Sequence, residues 1–184
     1  NLGTGTTLIE KDNDDNTMFY YKKDYYVSST EKLQYAANNV AKNCSIKLYK
    51  DLAGDVTIVQ RPGIDVVIDG EGLKYDGTIT IDGDNRAYGA EALTIKNIKF
   101  ETETAKTFVS APGSLNGKNE RYSHNVTIED CTFYTPTFNE NVSAISTQKT
   151  YHFAVKNCSA ENMHSLLQVQ SCDNTAVVDD VTTE

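Results

Sequence analysis

Hydrophobic and polar positions change period once along the chain, and that change divides it. Leu33, Ala36, Ala37, Val40 and Ala41 recur at helical spacing, with Ser29 or Thr30 placed to cap the start and Asn43 to stop the run. One amphipathic helix is predicted over about residues 30–42. Ahead of it, residues 1–27 form a polar and then aromatic extension. The run Asp12, Asn13, Asp14, Asp15, Asn16 precedes Phe19, Tyr20, Tyr21, Tyr25 and Tyr26, and reads as a solvated turn between two short strands. From Ile46 onward the period is two. Short β runs at 46–48, 56–59, 66–68 and 79–81 are separated by turns at 61–63, 69–72 and 82–85, rich in Gly, Asp and Asn. No second helical period follows, so residues 28–184 are expected to be one almost entirely β domain behind a single helix.

The later part of the chain repeats itself. The segments 93–100, 126–133, 153–160 and 176–183 superpose without gaps, their starts 33, 27 and 23 residues apart. First and third positions are apolar in all four (Leu93, Val126, Phe153, Ala176; Ile95, Ile128, Val155, Val178). The fifth is Asn or Asp (Asn97, Asp130, Asn157, Asp180), and the sixth is apolar again (Ile98, Cys131, Cys158, Val181). A two-residue period that breaks at Asn or Asp and then resumes means a strand, a sharp bend at a residue tolerant of left-handed backbone, and a second strand. Stacked as coils, equal positions would lie about 4.8 Å apart in a parallel sheet. The fifth positions would then form a structural ladder at the bend, with Cys131 and Cys158 as neighbouring buried thiols. A disulfide between them is disfavoured, because parallel Cβ vectors suit its dihedral poorly. The fourth positions, Lys96, Glu129, Lys156 and Asp179, alternate in sign, as outward neighbours on parallel strands should.

The coils at 94–100 and 127–133, the Ile-Asp-Gly turns at 68–70 and 81–83, and the amphipathic segment ahead of residues 46–48 together resemble the right-handed parallel β-helix of pectate-lyase-like proteins. The resemblance covers roughly residues 28–184. It implies an all-β solenoid closed at its N-terminal end by the helix, in a secreted or cell-surface bacterial protein. The last repeat runs to Thr183, so further coils or a partner are expected to cover the C-terminal end.

Charge narrows the partners. With 17 basic and 26 acidic residues the net charge is −9, which disfavours nucleic acid and anionic membrane surfaces. The mean hydropathy of −0.48 and the short apolar runs give no transmembrane segment. Four Cys with no zinc-like spacing exclude a disulfide scaffold or a zinc site of that kind. A calcium loop at Asp12, Asp14 and Asn16 would need Gly and Glu where Thr17 and Lys23 stand. Asp82, Asp84 and Asn85 form a weak calcium set that a plain Asp-Gly turn explains equally well, and no cofactor is expected.

Enzymes of the resembled superfold imply carboxylate clusters with a basic residue, or Asn-x-Asp, Asp-Asp and Gly-His-Gly elements on successive coils. The chain has no Gly-His-Gly, and its Asp179-Asp180 overlaps the ladder. Glu101 and Glu103 lack a recognisable partner on a second coil. His124, His152 and His164 read as surface turn residues. No catalytic residue is therefore assigned. The longer connection after Ala111 is the place for binding: Arg121 and Tyr122, with Tyr134 and Phe138, offer guanidinium and aromatic groups suited to a sugar, though the stretch also reads as a tolerated loop. The expectation is a non-catalytic carbohydrate-binding or adhesive module, with a polysaccharide lyase or glycoside hydrolase as the rival and a structural spacer as the third reading.

Overall fold

The structure, a computed structural model, describes residues 6–11, 17–21, 24–83, 91–112, 123–148, 150–170 and 176–183. For 6–11, 17, 19–21 and 176–183 only the backbone is described. The N-terminal stretch forms β1 (Thr6–Lys11), β2 (Thr17–Tyr21) and β3 (Asp24–Val27), paired antiparallel in sequence. Helix α1 (Thr30–Asn39) follows. The chain then winds through β4 (Cys44–Leu48), β5 (Leu52–Ala53) and β6 (Val56–Val59), then β7 (Val66–Asp69), β8 (Lys74–Asp76) and β9 (Ile79–Asp82). A third turn holds β10 (Leu93–Lys96), β11 (Lys99–Glu101) and β12 (Val109–Ala111). Later turns run as longer strands, β13 (Ser123–Glu129), β14 (Thr132–Gln148), β15 (Thr150–Gln170) and β16 (Ala176–Thr183).

Each turn of chain visits three ladders. The first stacks β3, β4, β7, β10, β13, β15 and β16 in parallel. The second stacks β5, β8, β11, β14 and β15, and the third β6, β9, β12, β14 and β15. Among the described residues the protein is therefore all-β apart from one short helix, a mostly parallel and open sheet compatible with a β-helix or solenoid.

The registers follow the sequence repeat. Leu93 stands opposite Val126, Val126 opposite Phe153 and Phe153 opposite Ala176, and the third positions pair likewise. The alternating charges pair as expected and extend two coils further back, Lys47 opposite Asp69 and Asp69 opposite Lys96. Inward positions build one core. Ile46, Ile68, Ile95, Ile128 and Val155 are fully buried in the first ladder. In the second, the Tyr75 ring meets Phe100 edge-on at 5.6 Å, and Phe100 stacks on Phe133 at 5.0 Å and 8°. Phe108 tilts against both phenylalanines.

Helix α1 caps the first turn as its apolar stripe predicts, with Leu33, Ala36, Ala37 and Val40 buried. Ser29 is the N-cap, accepting from the Lys32 amide at 3.3 Å. The helix ends at Asn39, earlier than expected, and Ala41 is exposed rather than part of the stripe. Val40 already has extended backbone, and the Arg61 guanidinium donates to the Val40 and Ala37 carbonyls that a longer helix would have used. The helix also serves the edge of β6. Gln34 accepts from the Thr57 amide at 2.7 Å, while Asn38 donates to the Thr57 carbonyl at 2.8 Å and accepts from the Val59 amide at 2.9 Å. Two side-chain amides thus take the place of a neighbouring strand.

Candidate functional site

The bend between the first and second ladders places the groups of interest. Asn97, Asp130 and Asn157 all have left-handed backbone, at φ 53°, 54° and 47°. Asn and Asp tolerate this region better than other residues with a Cβ, which is the physical content of the repeated fifth position. Their side chains pair along the stack. Asn97 Nδ2 donates to Asp69 Oδ1 at 3.0 Å, and Asn157 Nδ2 donates to Asp130 Oδ1 at 2.6 Å. The fourth copy continues in register, Lys156 opposite Asp179 and Cys158 opposite Val181, while the Asp180 side chain lies outside the described residues.

Outside this bend runs a groove of about 370 Å³, lined by Glu71, Gly72, Asn97, Ile98, Lys99, Asp130 and Thr132. In the preceding coil Glu71 and Gly72 are both left-handed (φ 52° and 77°), and the Glu71 amide bonds Asp69 Oδ1 at 3.0 Å. Glu71 and the acids of neighbouring positions carry lysine partners. Lys47 Nζ lies 2.7 Å from Glu71 and 3.6 Å from Asp24, Lys96 lies 3.6 Å from Asp69, and Lys74 lies 3.3 Å from Glu101. The hydrogen bond to Glu71 holds the Lys47 ammonium above the usual lysine range. Lys99 is exposed and makes no ion pair among the described residues.

Tyr134 follows the groove lining along β14 without being part of it. It follows Thr132 by two residues on β14, so both face outward, and it is 38% exposed. In the ladder it lies between Glu101 and Glu161, each in direct register. Phe138 is 61% exposed, further along β14 where the register shifts between Tyr134 and Asn139. Tyr134 is thus two residues along the strand from the lining residue Thr132, and Phe138 lies on the irregular stretch leading to the third ladder. Arg121 and Tyr122 lie outside the described residues, as do Asp12, Asp14, Asn16, Asp84 and Asn85. Among the described residues no group of three His, Cys, Asp or Glu stands close enough to hold a metal.

His124 corrects the sequence reading. It is not a surface turn residue but is 2% exposed, its ring stacked on Tyr151 at 5.3 Å and 7°. Its backbone is held by the buried Gln60 amide, which donates to its carbonyl at 2.7 Å and accepts from its N–H at 2.8 Å. Strand β13 begins at Ser123, three residues before the repeat, and draws His124 inside. His152 and His164 are exposed as expected but lie within strand β15 rather than in turns, His152 with φ 57°. Glu91 and Ser123 are also buried at this corner, where the Asn125 amide bonds the Glu91 carbonyl at 3.1 Å. Among the described residues neither Glu91 carboxylate oxygen nor Ser123 Oγ has a hydrogen-bond partner.

Cys131 and Cys158 are buried, unbridged and stacked, each thiol donating to a backbone carbonyl two residues back at 3.2 Å. The Cys158 thiol and burial push Cys131 far above the ordinary thiol range, and burial raises Cys44 to about 11. Since the thiolate is the nucleophile, Cys44 and Cys131 should resist iodoacetamide at neutral pH in the folded protein and react once it is denatured. Peptide mapping of the alkylated protein checks this; native labelling at Cys131 would contradict the packing.

Compared with known protein families, curated proteins and solved structures, the chain matches none. The groove and its lysine were not found from sequence. The turn at 69–72 reads as a spacer, and Lys99 sits at the repeat's seventh position, where the other copies carry Thr132, Ser159 and Thr182.

Proposed function

We propose that this chain is a non-catalytic carbohydrate-binding or adhesive module of a secreted or surface-attached bacterial protein, built as a right-handed parallel β-helix of the pectate-lyase-like type. The observation that carries this reading is the exposed Tyr134, two residues along β14 from the lining of a groove of sugar-accommodating size and mixed polar character. Ammonium, carboxylate, amide and hydroxyl groups supply the donors and acceptors that a polyol needs. The aromatic ring supplies a face for the apolar side of a sugar ring. Stacked parallel registers and the Asn/Asp bend support the β-helix part of the proposal.

The rival reading, a polysaccharide lyase or glycoside hydrolase, draws on the outward carboxylates Glu101 and Glu161 with Lys74 on the former. Tyr134 separates those acids by a full coil, so they are two coil rises apart, roughly 9–10 Å along the stack. What puts the binding reading in front is the exposed Tyr134 ring and not that spacing, which inverting hydrolases approach.

A glycan array on the purified protein is the test. Tyr134→Ala is expected to weaken any hit by roughly tenfold or more, with no reducing ends released. Product release would favour the enzyme, and silence on every glycan from a folded protein would leave a structural spacer.

A further inference from the structure

The groove lining carries both signs of charge, and that bears on what fits. Glu71 and Asp130 line it together with Lys99, while Lys47 sits on Glu71 from outside at 2.7 Å. Glu71 is thus already paired, by a lysine that also lies 3.6 Å from Asp24. That leaves Asp130 and Lys99 as the charged lining groups without an ion pair among the described residues; Asn97 and Thr132 beside them are neutral. One oxygen of Asp130 accepts the Asn157 amide, and Lys99 has no ionic partner among the described residues.

We propose that this groove takes an uncharged glycan, and that Lys99 and Asp130 set that specificity. The inference rests on the carbohydrate-binding reading above. An ammonium only donates hydrogen bonds and a carboxylate only accepts them, so a groove lined by both suits a hydroxyl, which does both. A uronate would gain Lys99 but bring its carboxylate among Glu71 and Asp130. An amino sugar would gain the acids but meet Lys99 and Lys47. Either charged ligand also leaves a group of its own sign partly desolvated, whereas neutral hydroxyls leave none. Tyr134, in line with Thr132 on the same strand face, adds a ring on which the next sugar can rest.

The measurement is calorimetric titration of the full chain with neutral hexose and N-acetylhexosamine oligomers, oligogalacturonate and chitosan oligomers, at low and high salt. Neutral oligomers are expected to bind with little salt dependence and both charged sets to bind at least roughly tenfold more weakly. Lys99→Met and Asp130→Asn should each weaken neutral binding by roughly tenfold, the loss of a charge-assisted hydrogen bond. Asp130→Asn keeps a residue tolerant of left-handed backbone, and unchanged circular dichroism and melting would establish that both variants fold. Tighter binding of either charged set, or neutral binding indifferent to both substitutions, would overturn the specificity while leaving the carbohydrate reading intact. Failure of a folded protein to bind any of the four sets would remove both.

Discussion

Phe100→Ala is expected to destabilise the protein by about 3–5 kcal/mol, the range for emptying a buried aromatic site. Phe100 is fully buried in the middle of the second ladder, in contact with Tyr75 below, Phe133 above and Phe108 to the side. Its removal deletes the apolar burial and three ring contacts, each worth about 0.5–1.5 kcal/mol beyond area alone. The neighbours cannot close the gap. Their backbones are fixed by parallel pairing, Tyr75 and Phe133 both opposite residue 100, and Tyr75 Oη is tied to the Gly54 carbonyl at 2.9 Å. In a stack whose coils touch only their neighbours, a void here loosens both flanking interfaces. Denaturant titration of the variant beside the wild type measures it. A loss under about 1 kcal/mol would mean that this ladder repacks freely, contrary to close packing of the core.

What could be read from sequence was whatever repeats with a physical reason. Apolar first and third positions face the core, and Asn or Asp marks the bend, because burial and left-handed backbone restrict the choice of residue in every coil. The charge alternation was visible in four coils and holds through Lys47 and Asp69, where the repeat is otherwise too eroded to align. Short strands escaped notice. Leu52–Ala53 and Val109–Ala111 are too brief to show a period, and are strands because the coils above and below hold them. Most of β14 beyond Tyr134 reads as a polar connection, yet Val109 and Ala111 pair with Ile145 and Thr147 inside it. Buried polar groups were the hardest to foresee. His124 lies inside because Gln60, 64 residues earlier, supplies its backbone partners, and no local pattern encodes a bond of that span. The groove is a tertiary feature of the same kind, since Glu71, Lys99 and Asp130 come from three successive coils.

Gly70→Ala is expected to damage both stability and binding, and this couples the fold to the proposed site. Gly70 stands just before Glu71, and its amide bonds the Lys96 carbonyl at 2.8 Å. A Cβ there would fall on the Asn97 carbonyl oxygen and on Ile98 Cγ1, and 2.9 Å from Ile98 Cα. Two of the three are backbone atoms in a paired coil, so relief requires the coils to part at the bend. Overpacking of this kind costs about 3 kcal/mol when the backbone must move. The residues displaced, Asn97 and Ile98, are groove lining, and Glu71 is next in sequence. Parting them would also strain the Asn97–Asp69 hydrogen bond and the Gly72 amide bond to the Asn97 carbonyl at 2.8 Å. The variant should therefore lose neutral-glycan affinity at temperatures where it is still folded. Gly63→Ala serves as the contrast, because no atom lies within 4 Å of its added methyl although its φ of 67° strains the backbone. It should lose about 1 kcal/mol of stability and keep its affinity. Equal loss of binding in both variants would mean that affinity follows global stability, and the bend at Gly70 would then have no separate part in shaping the groove.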